Sequence, residues 1–278
     1  MMIQEAFLGK VMKYQIKTNY HTHTYLCKHA EGTPSDHVNL AKSKGYVEIA
    51  ITDHGPLIDE IYNRIHTRRM NFEQYKNIYL PELEKAKKID GITVLTGLEL
   101  EFFDEMYFNY SEFLKDLDLL VLGQHYYHYQ DIIFSVYDIK DYGGMLAYAD
   151  QLIKGIKSGF FKFVAHPDIY CWNYPIWDDN CIAIAKKIIQ AAIDQNMPLE
   201  INANGIRNSK RKNHVSIASD GHVSYSYPKY EFWKLAKEMN ATVIINDDIH
   251  WFNTLQDEHT IEAYELAQEL KLTIKDRL

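Results

Sequence analysis

The chain has 278 residues, of which 46% are hydrophobic and 24% are charged, and its formal net charge is −8. This length is enough for a full hydrophobic core, and the acidic balance without a block of Lys and Arg argues against binding of long nucleic acids. Residues 1–17 lack the apolar core of a signal peptide, and no 18-residue apolar stretch exists, so we expect a cytoplasmic protein with no membrane partner.

Short apolar or β-branched runs alternate with amphipathic stretches along the whole chain. The predicted strands are residues 47–52, 92–96, 117–123, 161–165, 197–202 and 241–246. The predicted helices are residues 34–44, 71–88, 144–158, 180–195 and 230–239. Because this alternation is typical of parallel sheets, it predicts an α/β fold, either a barrel or a doubly wound sheet, in one domain spanning residues 1–278.

Histidine and carboxylate side chains recur at the carboxyl ends of these strands. Barrel enzymes build their active sites at that end, from side chains on several strands. We therefore expect one shared site there. The residues in question are His21, His23, Asp53, His54, Glu99, His125, His166, Glu200, Asp248 and His250.

The first motif is His21-Thr22-His23. Alternate residues of a strand face the same side, so both imidazoles are able to bind one metal ion. His29 follows six residues after His23, in a predicted loop that can fold back over the same rim.

The strand at residues 47–52 ends abruptly in Asp53 and His54, a pair whose burial a metal ion would satisfy. The next strand ends in Glu99, and a carboxylate is able to bridge two cations whereas an imidazole is not. Glu101 faces the same side as Glu99, so periodicity alone does not separate the two.

Three later strands end in Gly123-Gln124-His125, His166-Pro167-Asp168 and Asp248-Ile249-His250. His128 competes with His125, and Asp247 competes with Asp248, although the Asp-x-His spacing selects Asp248. Mixed imidazole and carboxylate ligands suit Zn²⁺, Fe²⁺ or Mn²⁺ better than Mg²⁺, so we expect such divalent ions as cofactors.

In this order and spacing the motifs resemble the PHP superfamily (polymerase and histidinol phosphatase), and within it the histidinol-phosphatase branch. The most specific stretch runs from His21 to Gly32 and is followed by Asp53-His54-Gly55-Pro56; the match extends over residues 18–255. The resemblance implies a distorted seven-stranded (β/α) TIM-like barrel that holds up to three metal ions at the strand ends.

The resemblance also implies how the ligands are divided among three ions, with Glu99 bridging the first two. The three ligand sets are His21, His23, Glu99 and Asp248; Glu99, His125 and His166; and His29, His54 and His250.

Further residues are candidates for catalysis beside Glu99. Asp53 and Asp168 are expected to support the ligands, and either is able to protonate the leaving alkoxide. Arg207 resembles the family's phosphate-binding arginine, although a solvated loop arginine beside Lys210, Arg211 and Lys212 is an equal alternative. Arg64, Arg68 and Arg69 are weaker candidates for the same role.

The string Ala218-Ser219-Asp220-Gly221-His222 is closer to the family's usual last motif than residues 247–250 are. It lies in a predicted polar loop and not at a strand end, so we place the metal ligands at Asp248 and His250. His222 is retained as a residue that approaches the substrate from that loop.

The expected reaction is hydrolysis of a small phosphate monoester, in which hydroxide generated between two cations attacks phosphorus. The resemblance alone suggests L-histidinol phosphate, and hence histidine biosynthesis. The aromatic segment 169–177 lacks a basic residue expected to help hold the phosphate, which leaves a nucleotide or phosphotyrosine phosphatase as alternatives. A non-enzymatic metal-binding barrel is the third interpretation, and the oligomeric state is left open.

Overall fold

The computed structural model describes residues 2–65, 67–174 and 176–278. Four parallel strands form a curled sheet in the order β1-β2-β3-β4, and three more form a second parallel sheet in the order β11-β10-β7. The strands are Thr18–Asn19 (β1), Glu48–Ile51 (β2), Thr93–Leu100 (β3), Leu119–Leu122 (β4), Tyr126–Tyr129 (β5), Ile132–Ser135 (β6), Leu199–Asn202 (β7), Val215–Ile217 (β8), Val223–Tyr225 (β9), Thr242–Asn246 (β10) and Thr273–Ile274 (β11).

Helices alternate with the parallel strands, which confirms the α/β class. They are Met2–Tyr14 (α1), Pro34–Ser43 (α2), Asp59–Ile65 (α3), Phe72–Gln74 (α4), Leu80–Ala86 (α5), Tyr107–Asp116 (α6), Tyr142–Lys157 (α7), Asp179–Asp194 (α8), Ala203–Arg211 (α9), Tyr230–Glu238 (α10) and Glu258–Glu269 (α11). A π-helical turn joins α4 to α5, so the helix predicted at residues 71–88 contains a distortion. Within the described residues no helix has both the length and the apolar character that a membrane span needs.

Single parallel bridges connect the two sheets. Leu122 pairs with Val164, and Val164 pairs with Leu199. The strand predicted at residues 161–165 is therefore present only as isolated bridges at Val164. On the opposite side Thr22 pairs with Ile249. The seven-stranded barrel stays a prediction.

The central strands are apolar on both faces. Successive residues of a strand point to opposite sides, and Ile49 and Ile51 join a large apolar cluster whereas Ala50 joins a smaller second cluster with Val121 and Ile244. Burial on both sides explains why these strands read as continuous apolar runs and not as alternating patterns.

Helix starts follow local signals in the sequence. Thr33 caps α2 in a capping box with Asp36, and Pro34 occupies the first turn, where its missing N–H costs nothing. Two antiparallel hairpins, β5-β6 and β8-β9, were not predicted, because strands of three or four residues leave little periodicity to detect.

Candidate metal centre

The carboxyl ends of the parallel strands open into a cavity of about 1150 Å³. The predicted ligands that line it are His23, His29, His54, Glu99, His125, His166, Asp248 and His250. His21 lies directly behind this surface and is fully buried. The structure therefore brings together all nine residues that the sequence predicts as metal ligands.

Four of these side chains point buried polar atoms at one another without completing hydrogen bonds. The unsatisfied atoms are His21 Nε2, His23 Nε2, Glu99 Oε2 and Asp248 Oδ1. Leaving such atoms buried and unpaired costs free energy, so each requires a partner. They belong to the four residues of the first predicted ligand set.

The distances between the imidazole nitrogens and the carboxylate oxygens of these residues are close to those around a tetrahedral cation. His21 Nε2 is 3.5 Å from Glu99 Oε1 and 3.6 Å from Asp248 Oδ1, and His23 Nε2 is 3.6 Å from Glu99 Oε2 and 3.1 Å from Asp248 Oδ1. Zinc bonds of about 2.0–2.2 Å place tetrahedral ligand atoms about 3.3–3.6 Å apart. The residues therefore fit a divalent ion.

Glu99 occupies the middle of the cluster. Its Oε1 is 3.0 Å from His166 Nε2 and 3.8 Å from His125 Nε2, which brings the second predicted set together around one carboxylate. Its Oε2 is 2.8 Å from His54 Nδ1. A carboxylate in this position is able to contact more than one cation.

The third predicted set lies nearer the cavity mouth. The ring centroid of His29 is 5.2 Å from that of His54 and 5.0 Å from that of His250. Cys27 was not predicted as a ligand, yet its sulfur lies within 4.8 Å of ligand nitrogens of both His29 and His250.

Carboxylates behind the imidazoles orient several of them. Nδ1 of His21 is 2.8 Å from Glu200, and Nδ1 of His125 is 3.2 Å from Glu101, which leaves the opposite nitrogen of each ring facing the centre. Nδ1 of His23 is 3.4 Å from Asp53. Such partners fix the orientation of the imidazole ring and raise the basicity of the ring. Glu200 was expected at the shared site, but its contact with His21 was not predicted.

In the third predicted set, which we call the outer imidazoles, Nδ1 of two rings lies close to a backbone carbonyl oxygen. Nδ1 of His29 is 2.7 Å from Cys27 O, and Nδ1 of His250 is 3.2 Å from Asp248 O. Each of these contacts lies within a single loop, and Nδ1 of His250 is also 3.3 Å from Asp248 Oδ1. His54 instead turns Nδ1 to Glu99.

Backbone conformation also adapts to the site. His166 and Asp248 adopt left-handed φ angles of 34° and 50°, which cost free energy in residues other than glycine. Gly123 is required for space, because a Cβ there would lie 1.9 Å from Glu99 Oε1. This contact explains the glycine of the Gly123-Gln124-His125 motif.

The carboxylates and imidazoles strongly perturb one another. Burial raises the pKa of Glu99, but His54, His21 and His125 outweigh it and hold that pKa well below its usual range. Burial lowers the pKa of His23, but Asp248 and Asp53 prevail and raise it to about 9.

The pKa values of two outer imidazoles, His29 and His54, shift in the opposite direction. Burial, reinforced by the neighbouring His250 and His23, lowers the pKa of His29 to about 4. Burial together with His23 also lowers the pKa of His54, although Glu99 opposes this change. Burial therefore favours the neutral form of His29 and His54.

The remaining acidic candidates take supporting positions. Asp53 accepts hydrogen bonds from Thr24 Oγ1 and His54 N behind His23. Asp168 is buried behind the site, where it accepts hydrogen bonds from Lys229 N and Trp233 Nε1. Burial raises the pKa of Asp168 to about 7. Asp168 is not among the described residues that line the cavity, and its proposed transfer of a proton to the substrate stays a prediction.

The position of Arg207 excludes one of the two predicted alternatives, that of a solvated loop residue. It lies on α9 and lines the cavity, but its guanidinium donates to Asp257 at 2.7 Å and 2.8 Å, and to Asp247 Oδ1 at 3.1 Å. It is therefore a nearly buried ion-paired residue and not a solvated loop arginine. Its role in binding phosphate stays a prediction.

His222 requires a correction. It lies next to the β8-β9 hairpin turn, is 39% exposed, and contacts Asp220 and Glu269 on the surface. It does not line the cavity in the described part of the chain. We withdraw it as a residue that approaches the substrate; the local string that suggested it carries no information about which end of the fold the hairpin occupies.

Packing distinguishes between the residues that the sequence left as alternatives. Asp247 turns away from the cluster and accepts hydrogen bonds from Arg207, Thr260 and Gln256, which leaves Asp248 to face it. His128 faces Glu105 outside the cavity lining. Arg68 and Arg69 both line the cavity, and Arg69 is also buried in an ion pair with Glu101.

An aromatic wall was missed in the sequence. Tyr126, Tyr137 and Tyr227 line the cavity beside His166, and Trp172 packs against Tyr137 and Tyr227 with ring centroids 5.8 Å and 5.6 Å apart. Tyr126 and Tyr137 belong to the hairpin region that was not predicted. The available signals were the 21 tyrosines of the chain and the aromatic segment 169–177.

Residues 19–204 match the sequence model of the PHP domain. Among curated relatives, a protein named probable phosphatase from Shewanella putrefaciens is 28% identical over 239 residues, covering 79% of this chain and 81% of the relative. A protein of the same name from Shewanella frigidimarina is 29% identical, covering 79% and 82%.

Two solved structures share the fold at low sequence identity. An inferred histidinol phosphatase from Listeria monocytogenes superposes with a TM-score of 0.69 at 17% identity, covering 86% of this chain and 97% of that one. The histidinol phosphate phosphatase of Lactococcus lactis, solved with zinc, L-histidinol and phosphate, gives 0.66 at 16% identity, covering 93% and 95%.

Proposed function

Since the chain belongs to the PHP domain family and its curated relatives are probable phosphatases, we propose that it is a metal-dependent phosphomonoesterase that binds two or three divalent ions. One observation carries the proposal. Four buried ligand atoms, from His21, His23, Glu99 and Asp248, lack hydrogen-bond partners, and the two imidazole nitrogens lie 3.1–3.6 Å from carboxylate oxygens of Glu99 and Asp248.

The chain's own residues prepare the site for this chemistry. Divalent ions, when bound, supply Lewis acidity and activate water for attack on a phosphoryl group. Glu99 would connect two ions, Glu200 and Asp53 would orient His21 and His23, and Asn202 and Asn204 hold the other oxygen of Asp248 at 3.2 Å and 3.3 Å. In-line attack on phosphorus needs such fixed positions more than it needs a protein nucleophile.

We also propose that the two parallel sheets and the segment around Val164 form one distorted seven-stranded barrel. The bridges at Leu122, Val164 and Leu199 support one junction, and the pairing of Thr22 with Ile249 supports the other. A barrel arrangement would explain why ligands from distant parts of the chain meet at one mouth.

L-histidinol phosphate is the substrate we propose first. The family resemblance suggests it, and the Lactococcus lactis protein of the same fold was solved with L-histidinol and phosphate. The cavity is large enough for a small organic phosphate, and Arg68 and Arg211 supply cationic groups on its wall.

The aromatic wall supports a second candidate within the same reaction class. Tyr126, Tyr137 and Tyr227 occupy a side of the cavity where a planar leaving group, such as that of an aryl phosphate or a nucleotide, would find stacking partners. This candidate differs from the first in substrate only.

A panel of phosphate esters tests both proposals. Metal-stripped protein is assayed for phosphate release before and after reconstitution with Zn²⁺ or Mn²⁺, using L-histidinol phosphate, AMP, phosphotyrosine and glycerol phosphate. We expect turnover only after reconstitution and fastest with L-histidinol phosphate. A preference for AMP or phosphotyrosine would select the second candidate, and a fully loaded protein that hydrolyses none of the four would refute the enzymatic function.

A further inference from the structure

A buried ion pair lies beside the candidate metal centre and has no part in the reaction outlined above. Arg69 and Glu101 are 2% and 1% exposed, and Arg69 Nη1 and Nη2 donate to the two carboxylate oxygens of Glu101 at 2.7 Å and 2.9 Å. Burying two charges costs free energy that their attraction often does not recover. The pair therefore calls for an explanation beyond stability.

The ion pair is joined to predicted metal ligands on two sides. Glu101 Oε1 lies 3.2 Å from Nδ1 of His125, whose Nε2 faces Glu99. Arg69 Nη1 also donates to the carbonyl of Gly55 at 3.3 Å, one residue after His54. The pair thus spans from the His125 ring to the loop that carries His54.

The other contacts of Glu101 and His125 limit what the imidazole can do. Both oxygens of Glu101 are held by the two arms of the guanidinium, so the carboxylate cannot rotate without breaking a hydrogen bond. The His125 ring is partly exposed to the cavity, and within the described residues its Nδ1 contacts Glu101. Its orientation therefore depends on Glu101, and that of Glu101 depends on Arg69.

We propose that Glu101 and Arg69 are positioning residues: Glu101 holds the ring of His125 in the orientation that binds the second ion, and Arg69 fixes Glu101. The inference rests on the metal centre of the proposed function and adds two residues that act through His125. Neither side chain is placed in contact with the substrate.

Removing one charge alone would leave its partner buried and unpaired, so the test uses two neutral double variants. Arg69→Met with Glu101→Gln keeps an acceptor for His125 Nδ1, whereas Arg69→Met with Glu101→Leu removes it. Both replace the ion pair by groups of similar volume, an exchange that is often neutral for stability. The two variants therefore differ mainly in the contact to His125.

Zinc binding is measured by competition with a chelating dye, together with thermal unfolding and steady-state kinetics. We expect the Met/Leu variant to bind its second zinc ion about 10–100-fold more weakly, the usual effect of losing such a partner. Its kcat should fall while KM changes little, and the Met/Gln variant should retain most of the second-ion affinity. An exposed ion pair serves as control: Lys154→Met with Asp104→Asn should change neither quantity.

The outcomes separate the inference from the proposed function. Equal second-ion affinity and equal kcat in the Met/Leu variant and the wild type would overturn the positioning role, as would equal losses in both double variants. If the wild type binds zinc but hydrolyses no ester, while the Met/Leu variant still loses its second ion, the proposed function fails and the positioning role stands.

Discussion

Two groups of imidazoles within one cavity differ in how the protein supports them. The inner ligands, which we define as His21, His23, Glu99 and Asp248, are buried, and their histidines lie against the carboxylates of Glu200 and Asp53.

The outer imidazoles, His29, His54 and His250, lie nearer the solvent, and two of them rest on backbone carbonyls. The inner histidines thus have separate carboxylates behind them, whereas His54 and His250 lie 2.8 Å and 3.3 Å from Glu99 and Asp248, which belong to the inner ligands.

The difference shows in the proton affinity of the rings. Carboxylates raise the pKa of His21 and His23 in spite of burial, whereas burial and neighbouring imidazoles lower the pKa of His29 and His54. A cation at the inner ligands must therefore displace protons, and a cation at the outer imidazoles need not. We expect the inner ion to depend mainly on its carboxylates and the outer ion to depend mainly on its imidazoles.

The largest effect is expected from Glu99→Ala, which removes the group shared by the first two predicted ligand sets. Lewis-acid stabilisation is worth several kcal/mol, so its loss should lower kcat by about 1000-fold or more. Metal analysis should show loss of the inner ion, and circular dichroism should show a retained fold. Activity near that of the wild type would contradict the central position of Glu99.

Gly123→Ala tests the same carboxylate from outside the ligand set. The new Cβ would lie 1.9 Å from Glu99 Oε1, so the carboxylate must move, and a displacement of this size costs about 100-fold in kcat. Gly9→Ala is the matched control, since nothing lies within 4 Å of a Cβ at that position. An active Gly123→Ala enzyme with full metal content would show that Glu99 has room to shift.

Glu200→Gln distinguishes the two groups directly. It removes the charge behind His21, and we expect zinc affinity at the inner ligands to fall about 10–100-fold while the outer imidazoles retain theirs. Titration with a competing chelator resolves the separate binding steps. An equal loss in both steps would mean that the two groups are not independent.

The pH dependence of metal binding sharpens the comparison further. Because the pKa of His23 is raised to about 9, this ring carries a proton below that pH, and a metal ion must displace it. Between pH 6 and 8.5 the metal affinity at the inner ligands should therefore rise about tenfold per pH unit for each proton displaced. The pKa of His29 is lowered to about 4, so the outer step should be nearly flat over the same range. Zinc titrations in buffers of different ionisation enthalpy count the protons released. Proton release at both steps would contradict the assigned difference.

Much of the site could be predicted because its signals are local. An apolar strand that ends in His, Asp or Glu marks a specific end of a parallel sheet, and all nine predicted ligands meet at one cavity. The α/β class followed from the same alternation. The short hairpins escaped detection because three or four residues carry too little periodicity.

Residues with two possible partners were decided only by the tertiary structure. Arg207 and Asp247 stand near the strand ends like true site residues, yet Arg207 is paired with Asp257 and with Asp247, which turns away from the cluster.

Glu99 and Glu101 are two residues apart, but Glu101 forms an ion pair with Arg69 while the imidazoles surround Glu99. Sequence spacing determines the end of a strand at which a side chain stands. Which partner it meets depends on packing between segments far apart in the chain, and that packing also determines which charges are neutralised and which remain to bind a cation.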